Sequence, residues 1–129
     1  MKTINVKSRS RNEFIDITSE IKDIVRQSGV KSGVCYIFVP HTTAGITINE
    51  GADPSVKRDI ITALARVFPV DGDYRHAEGN SDAHIKTTLT GNSSVVLIEE
   101  GKLVLGTWQS IYFCEFDGPR NRQVLVKPI

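Results

Sequence analysis

From His76 to His84 every second residue carries a polar head: His76, Glu78, Asn80, Asp82 and His84. Two of the chain's three histidines lie in this run. Imidazole nitrogens and carboxylate oxygens so close together are groups that ligate a divalent metal or move protons. In the metal reading His76 and His84 converge, and Asp82 or Glu78 completes a nitrogen–oxygen site for a divalent ion, zinc or magnesium. In the other reading Asp82 only fixes the tautomer of an imidazole. The spacing matches no standard short metal motif.

Further candidates lie elsewhere. The third histidine opens His41-Thr42-Thr43-Ala44-Gly45, which offers an imidazole, two hydroxyls and backbone amides to an oxyanion. Asp53 is accounted for as a helix cap, whereas Glu50 lacks such a reason and stands as a candidate catalytic carboxylate. His41, Glu78 and His84 are candidate bases. Gly106-Thr107-Trp108-Gln109 holds the only tryptophan, a possible stacking platform, with Gln109 on the opposite strand face. Arg120 and Arg122 stand on a turn, and guanidinium groups suit phosphate and carboxylate because they donate bidentately. There is no phosphate loop, dinucleotide fingerprint, Gly-x-Ser-x-Gly elbow or CxxC pair.

These residues need elements to position them. Thr3–Lys7 and Glu13–Thr18 alternate in polarity and read as strands able to form an antiparallel hairpin. Ile21, Ile24 and Val25 mark an amphipathic helix over Ser19–Ser28, capped by Thr18 or Ser19 and stopped by Gly29. Gly33–Val39 is a continuous apolar run, expected to be a strand buried on both faces. Ala44–Asn49 is the next strand. Asp53-Pro54 starts a helix that runs to about Phe68. After a loop to Asn80, a helix is expected from about Asp82 to Thr90. Strands follow at Ser94–Glu99, Leu103–Leu105, Trp108–Phe116 and Arg122–Val126, with a hairpin turn at Glu100-Gly101-Lys102. The expectation is a single α+β domain with about three helices on an antiparallel, sandwich-like core.

Composition narrows the function classes. The chain has 129 residues, 40% hydrophobic and 24% charged, enough for one core of its own. A formal net charge of +1 gives no global field for nucleic acid or an anionic membrane. No membrane-spanning run or signal-peptide core is visible, so a cytoplasmic location is expected. Cys35 and Cys114 sit in apolar strands and read as buried, reduced thiols.

Taken together, Pro40-His41-Thr42-Thr43-Ala44, Asn49-Glu50-Gly51-Ala52-Asp53-Pro54, His76-Ala77-Glu78-Gly79-Asn80 with Asp82-Ala83-His84, Gly106-Thr107-Trp108-Gln109 and Asp117-Gly118-Pro119-Arg120-Asn121-Arg122 resemble the YjbQ-like family, also called the secondary thiamine-phosphate synthase enzyme family. The resemblance spans nearly the whole chain. It implies a compact α+β fold, a homotrimer and a weak thiamine-phosphate synthase activity joining a pyrimidine pyrophosphate to a thiazole phosphate. Two other classes stand beside it: a metal-dependent hydrolase of a small phosphorylated metabolite, and a non-enzymatic metal- or anion-binding protein.

Overall fold

The structure, a computed structural model, describes residues 1–129. In chain order its elements are β1 (Lys2–Lys7), β2 (Glu13–Asp16), α1 (Thr18–Ser28), β3 (Gly33–Phe38), β4 (Ala44–Glu50), α2 (Pro54–Val67), α3 (Ser81–Thr90), β5 (Ser93–Glu99), β6 (Lys102–Leu103), β7 (Gln109–Glu115) and β8 (Asn121–Pro128). The strands form two antiparallel sheets, ordered β1-β8-β3-β5-β6 and β2-β7-β4. This is the expected α+β class.

Alternation along β7 explains the layering, because successive side chains of a strand point to opposite faces. Ile111 and Phe113 join Ile37, Val39, Ile46, Val96, Ile98, Val124 and Val126 in the main core between the sheets. Tyr112 and Cys114 face the other way. With Phe14, Phe116 and Ala83 they form a second cluster, against which Ile60, Ile61 and Leu64 of α2 pack. The layers are therefore five-stranded sheet, three-stranded sheet, then α2 and α3. Helix α3 lies so close to β4 that a Cβ on Gly45 would collide with Thr90 Oγ1 and the Gly91 carbonyl oxygen. No helix is long and apolar enough to cross a membrane. Cys35 and Cys114 are free and buried, and burial pushes the Cys35 thiol up to about 11.

Three local expectations are corrected. β1 and β2 do not form a hairpin: β1 pairs with β8 and β2 with β7, so the turn between them carries the chain from one sheet to the other. β3 is not buried on both faces. Cys35 and Ile37 are in the core, while Tyr36 and Phe38 are 49% and 42% exposed, because nothing in the protomer covers the outer face of the five-stranded sheet. The N-terminus of α1 has no side-chain cap; the Thr18 hydroxyl instead accepts from the Ile111 amide at 2.8 Å and ties the helix to β7. Helix α3 likewise begins without a side-chain cap from Asn80 or Ser81, while two other helix signals hold. Asp53 caps α2 by accepting from the Ser55 amide at 2.9 Å, and Gly29 ends α1 in the left-handed conformation.

Candidate functional site

A cleft of about 570 Å³ opens where the β3–β4 loop, the approach to α3 and the β7–β8 turn meet. It is lined by His41, Thr42, Thr43, Glu78, Asn80, His84, Arg120 and Arg122, together with Phe38, Val39, Pro40, Asn92 and Asp117. Candidates from three separate stretches thus share one wall. Pro40 and the end of β3 fix the first stretch. The start of α3 fixes the second, and Asn80 stands at its N-terminus without a side-chain cap bond. The third is set by the turn holding the cis Gly118–Pro119 bond.

Two buried ion networks hold this wall. In the first, Glu115 is fully buried and Arg122 is 6% exposed. Arg122 donates from Nε to Glu115 Oε1 at 2.9 Å, and its Nη2 donates to Glu115 Oε2 and, at 2.8 Å, to Thr43 Oγ1. Ser8 Oγ donates to Glu115 Oε1 at 2.6 Å and accepts from the Arg120 amide at 2.9 Å. The amides of Phe116 and Asp117 donate to Glu115 Oε2. Burial alone would raise the Glu115 carboxyl, but the Arg122 and Ser8 hydrogen bonds outweigh it and hold the group below its ordinary value.

The second network lies under α3. Asp82 is fully buried and Lys86, one turn on, is 1% exposed, with Nζ 2.8 Å from Asp82 Oδ2. Arg11 Nη2 donates to Asp82 Oδ1 at 3.1 Å and to the Gly79 carbonyl at 3.2 Å. Asp117 Oδ2 accepts from Asn80 Nδ2 at 2.9 Å and from Arg120 Nη2 at 3.0 Å. Burial pushes the Asp82 carboxyl up, and the bonds and charges of Lys86 and Arg11 bring it below its ordinary value.

His41 takes an unexpected part. Its Nε2 accepts from the Gln123 amide at 3.0 Å. A neutral His41 therefore carries its proton on Nδ1 and offers a donor, not a base, to a ligand. Burial, and then the Arg122 charge, lower its pKa, which favours that neutral form. Glu78 is exposed and His84 half-buried, and no hydrogen bond engages either side chain. Both line the cleft.

Of the residues in the metal expectation, His76 and His84 come together but Asp82 does not join them. Asp82 has both oxygens committed to Lys86 and Arg11 and cannot serve as a ligand. His76 and His84 meet edge to face, with ring centroids 5.5 Å apart, and His76 Nε2 lies 3.8 Å from Glu78 Oε1. His76 lines an adjoining hollow with Tyr74, Arg75 and Ile85 rather than the cleft. No group of three or more His, Cys, Asp or Glu side chains is placed to hold a metal ion.

Glu50, Trp108 and Gln109 are not at the cleft. They sit together at the far ends of β4 and β7, where Glu50 and Gln109 are paired in register. Glu50 Oε2 accepts from the Ala52 amide at 3.0 Å, and Gln109 Oε1 from the Gly106 amide at 2.8 Å, so both serve turns. Trp108 is 64% exposed.

Sequence reasoning missed Ser8, Arg11, Lys86 and Glu115 as supports of the site. Only Glu115 gave a signal: it shares its strand face with Ile111 and Phe113, and a carboxylate on a core face needs a partner.

Comparison with known proteins agrees with this architecture. The family model described as "UPF0047 protein YjbQ-like" matches residues 2–129. A UPF0047 protein of Methanocaldococcus jannaschii is 55% identical, with 96% of this chain and 90% of that protein covered. YugU of Bacillus subtilis is 50% identical, with 98% and 97% covered. A crystal structure of an uncharacterised YjbQ/UPF0047 protein of Clostridium acetobutylicum superposes with a TM-score of 0.99 at 57% identity over the full length of both chains. A YbjQ-like protein of unknown function from Sulfolobus solfataricus gives 0.95 at 38% identity, over 98% of this chain and 94% of that one. None of these matches carries a thiamine-phosphate synthase assignment. With the family model spanning nearly every residue and relatives identical at half their positions, this chain belongs to the UPF0047 YjbQ-like family.

Proposed function

We propose that the cleft binds a small phosphorylated molecule and that Glu78 and His84 transfer protons on it. The observation that carries this reading is the arrangement of used and unused groups: hydrogen-bond partners hold Arg122, Asp117 and Thr43, while the Glu78 and His84 side chains on the same wall make no hydrogen bond. Arg120, 54% exposed at its side chain, and the Nδ1 proton of His41 supply donors for phosphate oxygens. Thr42 and Asn80 complete the polar lining. The pre-set donors would stabilise charge as it develops, without reorganising.

Within this class the reaction implied by the family resemblance is slow formation of thiamine phosphate, with pyrophosphate leaving from the pyrimidine substrate. The cleft's two arginines are each paired with a carboxylate, and Trp108 lies elsewhere, so little here is dedicated to a pyrophosphate or a heterocycle. That supports a side activity over a committed synthase. The test is product formation from the two phosphorylated precursors by wild type, His84→Ala and Arg120→Ala. Product that falls in both variants supports the reading; equal rates in all three samples overturn it.

The protein in this reading works as a homotrimer in the cytoplasm. The support is the outer face of the five-stranded sheet, where Tyr36 pairs with Val95 and Phe38 with Leu125, and Leu97 is 59% exposed. An uncovered apolar face of this kind is a contact surface. Phe38 belongs both to this face and to the cleft, so a neighbouring copy would close over the site.

A further inference from the structure

A second concavity, of about 470 Å³, lies away from the cleft, between the C-terminal half of α1 and the β5–β6 turn. Its apolar lining is Val25, which is 1% exposed, with Val30 and Leu103. Lys22 and Arg26 reach it from one face of α1, Lys31 from the loop after α1, and Lys102 from β6. Glu100 is the carboxylate that lines it.

Arg26 has a local explanation: it stands in the last turn of α1, at the negative end of the helix dipole, and pairs with Asp23 at 2.8 Å. Lys22, Lys31 and Lys102 have no such partner; no ion pair in the protein includes them. Setting Asp23, Glu100 and Glu99, the register partner of Lys102, against the four cations leaves a net positive charge. The walls are fixed: Gly29 closes α1, and the Gly101 amide donates to the Lys31 carbonyl oxygen at 3.0 Å, tying the turn to the loop.

We infer that this concavity is a second ligand site, for a dianionic phosphate monoester with an apolar or aromatic body. The excess of cationic groups suits a phosphate monoester, which carries about −1.5 to −2 near neutral pH. The Val25, Val30 and Leu103 surface supplies what inorganic phosphate cannot use, in the pattern of small-molecule sites with an apolar wall and a few convergent polar groups.

The probes are phenyl phosphate, inorganic phosphate and benzyl alcohol, titrated into full-length isotope-labelled protein and followed by amide chemical shifts. Phenyl phosphate is expected to give saturable shifts at Val25–Lys31 and Glu100–Leu103, with inorganic phosphate weaker and benzyl alcohol without effect. The double variant Lys31→Gln/Lys102→Gln should bind phenyl phosphate about tenfold or more weakly, the loss expected for contacts to charged donors. Both positions are exposed, and an unchanged melting temperature confirms the fold. His84→Ala, in the separate cleft, should leave these shifts unchanged, so failure here and failure of the cleft reading are distinguishable. Absence of saturable shifts at these segments, or equal affinity in the double variant, overturns the inference.

Discussion

Glu115 and Arg122 form a buried ion pair behind the cleft, joined by two hydrogen bonds from one guanidinium to one carboxylate, and the same guanidinium holds Thr43 Oγ1 at 2.8 Å. Breaking one side of such a pair leaves a charge in a site that water reaches poorly. Glu115→Gln or Arg122→Met is expected to cost about 3–5 kcal/mol. The double variant should cost less than the sum of the singles, because neither leaves a lone charge. Urea unfolding of the four proteins checks this; strictly additive losses would show that the two groups do not act as a pair.

Acid should unfold the protein through the same networks. Glu115 and Asp82 titrate in the folded chain below their ordinary values of 4.5 and 3.8. The unfolded chain therefore takes up protons first as pH falls, and the stability these groups contribute is full above those values and lost as pH drops through the lower folded ones. Stability between pH 6 and pH 2 should fall more steeply for wild type than for Glu115→Gln or Asp82→Asn, as measured by urea midpoints. Parallel curves would contradict the assignment.

His41 should titrate below 6.5, since burial and the Arg122 charge both oppose its protonation. The sign is that of a group whose folded pKa is depressed: its contribution is present above 6.5 and fades as pH falls through the folded value. A protonated His41 has no lone pair on Nε2 for the Gln123 amide. Imidazole resonances followed against pH measure this directly, and a midpoint at or above 6.5 counts against it.

The outer sheet face predicts assembly. Light scattering of wild type should return three copies per particle, and Leu97→Asp should return a folded particle of lower mass, because a charge is placed on the apolar face. A wild-type monomer across a broad concentration range would contradict the trimer.

Much of the fold was legible because periodicity reports burial. The alternation of Trp108–Phe116 placed Ile111 and Phe113 opposite Tyr112 and Cys114, and both faces proved buried. What periodicity cannot report is which sheet a strand joins, so β1 and β2 read as a hairpin. Nor does it show whether an apolar face meets its own chain, hence the error on β3. The run from His76 to His84 supplies Glu78, Asn80 and His84 to the cleft, but the change from turn to helix at Ser81 sends its polar heads in different directions. Asp82 points inward to Lys86, and His84 lines the cleft. Lys86 was invisible, since a lysine on a short helix reads as solvated until a buried carboxylate one turn away is known.

The most direct measurement of the cleft assignment is ligand binding by variants that leave the fold intact. Amide shifts of labelled protein titrated with small phosphorylated compounds, the thiazole phosphate among them, should change at Pro40–Thr43, Glu78–His84 and Asp117–Arg122. His84→Ala and Glu78→Ala should melt within about 0.5 kcal/mol of wild type, as surface changes do, and should lose the bound response or the turnover. Ile37→Ala, a core change, should cost roughly 2–5 kcal/mol and keep the response while folded. Should His84→Ala be destabilised as much as Ile37→Ala and still bind normally, His84 is a structural residue and the account of the cleft is wrong.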